Sequence, residues 1–190
     1  MLLENVRLSF PSLFQATSFQ PDQPKRFQAT FIIPKDSPNV KKIQAEIERV
    51  ATEKWGPKAK SILAQLRAQN RLCLRDGAEK AGMDGFGEDV YFISASSDKR
   101  PGVYDRDRTP LSQEDGRIYA GCWVNGVIEI WAQDNQYGKR INAQLRGVQF
   151  VRDDEAFGGG GAPATADDFP ELDDDDSTFG AVAEGDDDWM

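Results

Sequence analysis

Three stretches of the sequence alternate apolar residues with basic or polar ones, which is the period of a half-buried β-strand. In the last stretch, Arg140 and Arg146 share the polar side with amide side chains. The same alternation places Arg7 and Arg26 on the polar sides of two earlier stretches. If the three strands are neighbours, four guanidinium groups lie on one surface, where they can pair with phosphate groups.

Loops and strand ends add further cations and aromatic rings to this surface. Cations pair with phosphates, and rings stack on unpaired bases for about 1 to 3 kcal/mol each, so the combination favours single-stranded nucleic acid as the ligand. The alternative is that the charges keep a sheet soluble and the rings fill a barrel. The candidate DNA-binding residues are Arg7, Lys25, Arg26, Lys99, Arg100, Tyr104, Arg106, Arg108, Trp131, Tyr137, Lys139, Arg140 and Arg146.

The charge of the chain is divided between two segments. Its 190 residues contain 23 Lys and Arg against 32 Asp and Glu, a net charge of −9. Residues 153–190 hold 14 of the acidic residues and no basic one, which leaves residues 1–152 with a net charge of +5. A basic body with an acidic tail fits a protein that binds a polyanion and carries its own competitor.

The acidic tail also contains spaced aromatic rings. Because it is low in apolar residues and dense in Asp, it cannot bury enough surface to offset the entropy of ordering, and we expect it to be disordered. An acidic segment with rings imitates single-stranded DNA, and its length gives it a reach of roughly 35 Å, enough to compete for a groove on its own domain. The rings are those of Phe157, Phe169, Phe179 and Trp189.

The absence of histidine excludes Ser/His and Cys/His catalysis and two-histidine metal sites. Two cysteines, Cys73 and Cys122, are too few for a thiolate zinc site or a disulfide framework. Both side chains are expected to be buried, and the low cysteine content favours an intracellular, reducing environment. Loop carboxylates such as Asp105 and Asp107 leave a metal-dependent nuclease as an alternative, but neighbouring arginines favour solvated ion pairs. We therefore expect no enzymatic activity, no cofactor and no metal site.

No apolar run approaches the roughly 18 residues that a membrane helix requires, and the N-terminus lacks a basic segment followed by an apolar one. The sequence therefore predicts a soluble, cytoplasmic protein without a membrane partner.

Alternation predicts about five strands in the body, and their apolar sets include Phe10, Phe31 and Phe92, which are expected in the core. Asn125-Gly126 is interpreted as a bulge in one long strand, with a hairpin turn as the alternative. A long surface loop is expected at residues 97–117. The predicted strands cover residues 5–10, 26–34, 90–96, 118–132 and 140–146.

A helical insertion is predicted at about residues 38–69. Ser37 and Pro38 supply an N-cap and a first-turn proline, and Gly56-Pro57 separates the first helix from a second. Twisted antiparallel strands split by such an insertion fit a mainly β, OB-like barrel, which leaves little exposed edge; an open α+β sheet is the alternative. The predicted domains are the barrel, residues 1–152, and the disordered tail, residues 153–190.

The order of short motifs along the body resembles the tailed-phage family of OB-fold single-stranded-DNA-binding proteins. The resemblance covers nearly the whole body and implies a replication or recombination accessory protein that coats unwound DNA without chemistry. The motifs are Phe10-Pro11-Ser12-Leu13-Phe14, Phe31-Ile32-Ile33-Pro34-Lys35, Trp55-Gly56, Arg75-Asp76-Gly77, Arg100-Pro101, Tyr119-Ala120-Gly121-Cys122 and Leu145-Arg146-Gly147-Val148-Gln149.

The tail is similar to the acidic tails of bacterial and phage single-strand binders, which dock replication and recombination partners and restrain DNA binding. Those tails commonly end in an aromatic residue, whereas this one has Trp189 next to last and Met190 at its end. The resemblance implies that partner proteins dock on Asp186, Asp187, Asp188 and Trp189.

We therefore predict a sequence-independent single-stranded-DNA-binding protein of phage replication or recombination. A mediator of strand annealing is the first alternative, a nuclease the second, and an adaptor whose tail binds a host protein the third. A homodimer is among the oligomeric states that the sequence leaves open.

Overall fold

Five long strands form a closed ring in the computed structural model, which describes residues 1–18 and 20–158. Two helices lie between the second and third of these strands, and two short strands extend the sheet at its edges. The elements are β1 (Leu2–Thr17), β2 (Arg26–Pro34), α1 (Pro38–Trp55), α2 (Ala59–Ala68), β3 (Leu74–Asp76), β4 (Val90–Ser97), β5 (Gly102–Tyr104), β6 (Trp123–Asn135) and β7 (Gly138–Arg152).

The ring is closed by one parallel contact between β4 and β7, at Ser96 and Gln144. The other neighbours in the ring are antiparallel, so that β1 pairs with β2 and β6, β2 pairs with β4, and β6 pairs with β7. A five-stranded ring in the order β1-β2-β4-β7-β6 is the Greek-key arrangement of an OB-like barrel. The predicted fold class is confirmed, and the open-sheet alternative is wrong.

The helical insertion begins where the sequence predicts. The Ser37 hydroxyl accepts a hydrogen bond from the Asn39 backbone N–H at 3.3 Å, and Pro38 occupies the first turn of α1. The buried Asn39 side chain donates to the Glu4 carbonyl at 2.8 Å and accepts from the Glu4 N–H at 3.2 Å. These two bonds attach the start of α1 to β1. The helix ends at Gly56, whose φ of 54° lies in the left-handed region.

Strand β1 is longer than predicted and changes its inward face at Phe10. The backbone of Phe10 has a φ of 46°, and the register against β2 shifts between Ser9 and Ser12. As a result Ser9 is buried and the Phe10 side chain is 42% exposed. The prediction that Phe10 lies in the core is wrong because a bulge interrupts the alternation. The predictions for Phe31 and Phe92 are confirmed, since both are fully buried.

Strand β6 runs through Asn125-Gly126 without a turn, but it starts at Trp123 and not near residue 118. Between Val127 and Ile128 the partner strand β7 supplies one extra residue, Arg146, so this bulge lies in β7 and not in β6. The predicted loop at residues 97–117 contains the short strand β5, which pairs in parallel with β7.

The barrel interior is filled by large apolar side chains from every ring strand, and each such burial stabilises the fold by about 1.5–3 kcal/mol relative to an exposed side chain. The ring of Phe31 leaves no room for a side chain at residue 126 of the facing strand. No helix among the described residues combines the length and apolar character that a membrane span requires. The largest fully buried core side chains include those of Phe31, Phe150, Leu3, Leu8, Ile43, Ile93, Ile128 and Ile141.

Gly126→Ala is expected to lower the free energy of unfolding by about 1–3 kcal/mol, the usual range for overpacking a core. A Cβ atom at residue 126 would lie 2.7 Å from ring carbons of Phe31. Urea unfolding followed by tryptophan fluorescence measures the change. Gly87→Ala is the matched control, because a Cβ there meets nothing within 4 Å. In a double-mutant cycle with Phe31→Leu, the two decreases in the free energy of unfolding should be less than additive. Full additivity would contradict the contact between residue 126 and the Phe31 ring.

Candidate nucleic-acid interface

A groove of about 560 Å³ follows the outer side of the barrel where β4 meets β7. Its floor is formed by Ser94 and Ser96 of β4 and by Asn142 and Gln144 of β7. These residues alternate with buried ones along their strands, so their side chains face outward. Short hydroxyl and amide side chains leave an open channel that can donate and accept hydrogen bonds.

Three arginines line the groove, together with one carboxylate, that of Asp98. Arg26 starts β2, Arg75 lies in β3, and Arg140 lies near the start of β7. Arg75 is paired with Glu79. Arg26 and Arg140 form no ion pair with any described residue. Among the described residues, the groove therefore has more guanidinium groups than carboxylates to neutralise them.

Exposed aromatic rings stand at one end of the groove. Trp131 of β6 is 43% exposed and lies opposite Asn142. Tyr137 is 73% exposed at the tip of the hairpin that joins β6 to β7. The Arg71 side chain donates to the Tyr137 carbonyl at 3.0 Å, and it approaches Gly138 so closely that a Cβ there would lie 2.9 Å from its guanidinium. Arg71 thus holds the hairpin in position beside the groove.

The charge of the hairpin lysine is compensated within the hairpin. Lys139 Nζ lies 3.2 Å from Asp134 Oδ1, and the indole of Trp55 in α1 donates to the same carboxylate at 2.8 Å. The Trp55 hydrogen bond first, and then Lys139, lower the pKa of Asp134. The hairpin is thereby attached to the helical insertion.

The predicted cations around β5 form a second group, further along β7. Strand β5 pairs with residues 147–149 of β7, whereas the groove uses residues 140–144. The Gln149 side chain donates to the carbonyls of Asp105 and Arg106, each at 3.3 Å, and so attaches this loop to β7. Arg146 lies between the two groups and is paired with Glu129. The second group contains Tyr104, Arg106 and Arg108. Lys99 follows the groove residue Asp98, Arg100 lies 5.6 Å from the centre of the Phe14 ring of β1, and Lys25 precedes Arg26 at the groove.

Arg7 lies away from both groups, against the first residues of the acidic tail. Its Nε donates to the Gly121 carbonyl at 2.9 Å and its Nη2 donates to the Glu155 carbonyl at 2.8 Å. Its guanidinium also lies 3.6 Å from a carboxylate oxygen of Asp154 and 4.5 Å from the centre of the Phe157 ring. The structure therefore does not bring Arg7 onto a shared surface with the other three arginines.

Residues 153–158, which we call the tail root, are bonded to the barrel. The indole of Trp123 donates to Asp154 Oδ2 at 2.6 Å, and this bond is the main cause of the lowered pKa of Asp154. The Phe157 N–H donates to the Ala120 carbonyl at 2.9 Å, and the Gly158 N–H donates to Asp84 at 2.7 Å. The predicted docking residues Asp186, Asp187, Asp188 and Trp189 lie outside the described residues.

The fold and these contacts can be compared with those of known proteins. A family model described as the single-stranded-DNA-binding protein of Enterobacter phage Enc34 matches residues 1–179. The chain belongs to this family. The resemblance seen in the ordered motifs is thereby confirmed. A relative, putative protein p50 of Acyrthosiphon pisum secondary endosymbiont phage 1, is 44% identical over 173 residues, which cover 90% of this chain and 92% of that protein.

Solved structures of phage proteins agree with the family assignment. The Enc34 single-stranded-DNA-binding protein in complex with single-stranded DNA is 30% identical, with a TM-score of 0.66 over 83% of this chain and 88% of that one. Gp2.5, the single-stranded-DNA-binding protein of bacteriophage T7, is 16% identical, with a TM-score of 0.54 over 96% of this chain and 98% of that one. The second likeness concerns the fold alone.

Sequence reasoning about this family member missed several groove residues. Arg75 is absent from the predicted binding residues because β3 has three residues, too few for alternation to show. Ser94 and Ser96 carry no charge or ring that would single them out, and Arg71 acts through the hairpin at residues 136–138. The alternation in β4 was the one signal that could have identified the serines as outward-facing.

The loop carboxylates considered for metal binding take part in turns. Asp107 accepts a hydrogen bond from the Thr109 N–H at 2.9 Å, which lowers the pKa of Asp107, and Asp105 accepts from the Arg106 N–H at 2.7 Å. Among the described residues, no three His, Cys, Asp or Glu side chains are grouped so that they could hold a metal ion.

The two thiols are expected to resist alkylation while the protein is folded. Burial raises the pKa of Cys73 to about 12 and that of Cys122 to about 11, so neither thiol forms an appreciable amount of thiolate at pH 8. Iodoacetamide labelling followed by mass spectrometry should modify both residues in urea and neither in buffer. Gln113→Cys, at an exposed position, should add one rapidly modified thiol. Rapid native-state labelling of the unchanged protein would contradict this assignment.

Proposed function

We propose that the chain binds single-stranded DNA without sequence preference, in the groove between β4 and β7. The observation that carries the proposal is that Arg26 and Arg140, which have no ion-pair partner in the described part of the chain, line a groove with exposed Trp131 and a floor of hydroxyl and amide side chains. The related Enc34 protein, solved in complex with single-stranded DNA, supports the same ligand class.

The groove has the two parts that a sequence-tolerant single-strand site requires. Arg26 and Arg140 can pair with phosphates and follow the backbone, whereas the ring of Trp131 can stack on any base, since every base has a π-face. The position also agrees with the fold, because OB barrels bind oligonucleotides on the outer face of their second and third strands and on adjacent hairpin loops. Here those parts are β2, β4 and the hairpin carrying Tyr137.

The acidic tail is proposed to compete with DNA for this groove and to dock replication or recombination proteins through Asp186, Asp187, Asp188 and Trp189. The opposite charges of tail and body support this role, and so does the tail root, which begins the acidic segment on the barrel surface. The chain would then act during phage DNA replication or recombination in the host cytoplasm, with residues 1–152 as the binding domain.

Substitutions in the groove should weaken binding in two distinguishable ways. Trp131→Ala removes a stacking ring and is expected to lower the affinity for oligo(dT) by about 1–3 kcal/mol. Arg140→Ala removes one phosphate contact, so the slope of log affinity against log salt should become less steep by about 0.7. Fluorescence anisotropy with labelled oligo(dT) at several salt concentrations measures both effects.

Arg49→Ala is the matched control for Arg140→Ala. Arg49 lies on α1, where it pairs with Glu46 and Glu53 and is remote from the groove. Its removal should change neither the affinity nor the salt slope appreciably. Equal effects of the two substitutions, or an affinity that does not depend on salt, would contradict the proposed site.

Removal of residues 159–190 should raise the affinity for oligo(dT), most strongly at low salt, because it removes a competing polyanion. Replacement of Asp173–Asp176 and Asp186–Asp188 by Asn in the full-length chain keeps the length and should have a similar effect. If both variants bind DNA as the unchanged protein does, or more weakly, competition by the tail is ruled out.

A further inference from the structure

A second hollow continues the groove along the outer side of the barrel. It has a volume of about 400 Å³ and shares Ser94 and Ser96 with the groove. The loop at residues 77–87 contributes Lys80 and Met83 to its lining, and Phe10 of β1, whose ring lies against Lys80 and Phe86 of this loop, is also part of the lining. We call this the Phe10 hollow. It contains no carboxylate among its lining residues.

Three phenylalanine rings lie in series beside the Phe10 hollow, from the interior of the protein to its surface. Phe92 is buried, Phe86 is half-buried, and Phe10 is 42% exposed. The ring centres of Phe92 and Phe86 are 5.5 Å apart in an edge-on arrangement, and those of Phe86 and Phe10 are 6.1 Å apart. The outermost ring is therefore held in place by the two behind it and still presents a free surface to the solvent.

The backbone geometry at residue 10 does not favour a phenylalanine. A φ of 46° is unfavourable for a bulky side chain, and glycine or asparagine would adopt it at lower cost. Contacts with Phe86 and Lys80 cover part of the ring, and 42% of the residue remains exposed. Strain of this kind is typical of functional sites, where the conformation presents a group to a ligand. The local backbone conformation thus presents the ring of Phe10 at the surface, where a ligand can contact it.

Lys80 supplies positive charge to the same hollow. It ends a 3-10 turn, Gly77–Lys80, whose first N–H groups are capped by the Asp76 side chain. Its Nζ lies 5.0, 5.3 and 4.9 Å from the ring centres of Phe10, Phe86 and Phe92. It forms no ion pair with a described residue, and partial burial, followed by the charge of Arg75, lowers its pKa. An anion bound in the Phe10 hollow could pair with Lys80, which has no ion-pair partner among the described residues.

We infer that the Phe10 hollow binds one unpaired nucleobase of single-stranded DNA, which stacks on the Phe10 ring, while Lys80 pairs with an adjacent phosphate. This inference rests on the proposed function and adds a second contact point to the same strand of DNA. From Trp131 the outer surface leads over β7, β4 and β2 to Phe10 on β1, and the groove and the Phe10 hollow share Ser94 and Ser96 on this path.

The direct test locates the stacked bases in the full-length protein. Ultraviolet irradiation of its complex with oligo(dT), followed by mass spectrometry of the digested product, should find thymine cross-links at both Trp131 and Phe10. Phe10→Leu, which keeps an apolar side chain without a ring, should lose the Phe10 cross-link and retain the one at Trp131. Cross-links confined to Trp131 in the unchanged protein would overturn the inference.

Affinity measurements provide an independent test. Phe10→Ala should weaken oligo(dT) binding between about 5-fold and 150-fold, and Phe10→Trp should restore it, since stacking needs a flat ring. Lys80→Gln should reduce the salt slope by about 0.7, whereas Lys60→Gln on the exposed side of α2 should leave it unchanged. Lys80→Gln leaves the ring stack intact and keeps the test decisive if thermal unfolding shows that Phe10→Ala is unstable.

The outcomes separate this inference from the proposed function. If the unchanged protein does not bind oligo(dT), the proposed function fails, and the inference fails with it. If it binds, and Trp131→Ala weakens binding while Phe10→Ala and Lys80→Gln do not, only the Phe10 hollow is refuted. A change of oligomeric state in Phe10→Ala, measured by light scattering with no loss of DNA affinity, would assign the exposed ring to contact with a second copy of the chain and would also refute the inference.

Discussion

The closing contact between β4 and β7 is the constraint on which the groove depends. These are the only two long strands of the described chain that meet in parallel, and they meet at Ser96 and Gln144 alone. The outward side chains at this seam are small or amide-bearing, so the surface there is concave and polar. The same seam brings Arg26 and Arg140 to a common edge, although they are far apart in the chain. The candidate site therefore forms only when the barrel is closed.

The positive character of the groove comes from cations that lie close together without ion-pair partners. On other surfaces some cations are paired, as Arg49 is with two glutamates of α1 and Arg146 is with Glu129, whereas Lys60 and Arg67 of α2 have no ion-pair partner among the described residues. Exposed pairs of this kind add little to stability, but they neutralise the local field. Arg26, Arg140 and Lys80 have no such partner among the described residues. A polyanion would therefore find unneutralised charge along one path across the barrel.

The parts of the fold that could be predicted are those that local chemistry determines. Ser37 caps α1 because its hydroxyl accepts a backbone N–H within the next turn, and this depends on adjacent residues. The outward position of Arg140 follows from the uninterrupted alternation at the start of β7. Phe10 could not be predicted, since its positive φ reverses the face of β1 without a glycine to signal it. Arg7 was misplaced because its partners come from residues 154–157, at the opposite end of the described chain.

The hydrogen bond from Gly158 to Asp84 attaches the end of the tail root to the barrel. Asp84 belongs to the loop that also carries Lys80 and Met83, so the described chain ends at a loop that lines the Phe10 hollow. A ligand tethered by a short linker has an effective concentration in the millimolar range, and dilution of the protein does not change it. An acidic segment attached at this point would therefore compete equally well at any protein concentration. The concentration of free DNA needed to displace the segment would then depend on the tether length and the ionic strength, and not on the protein concentration.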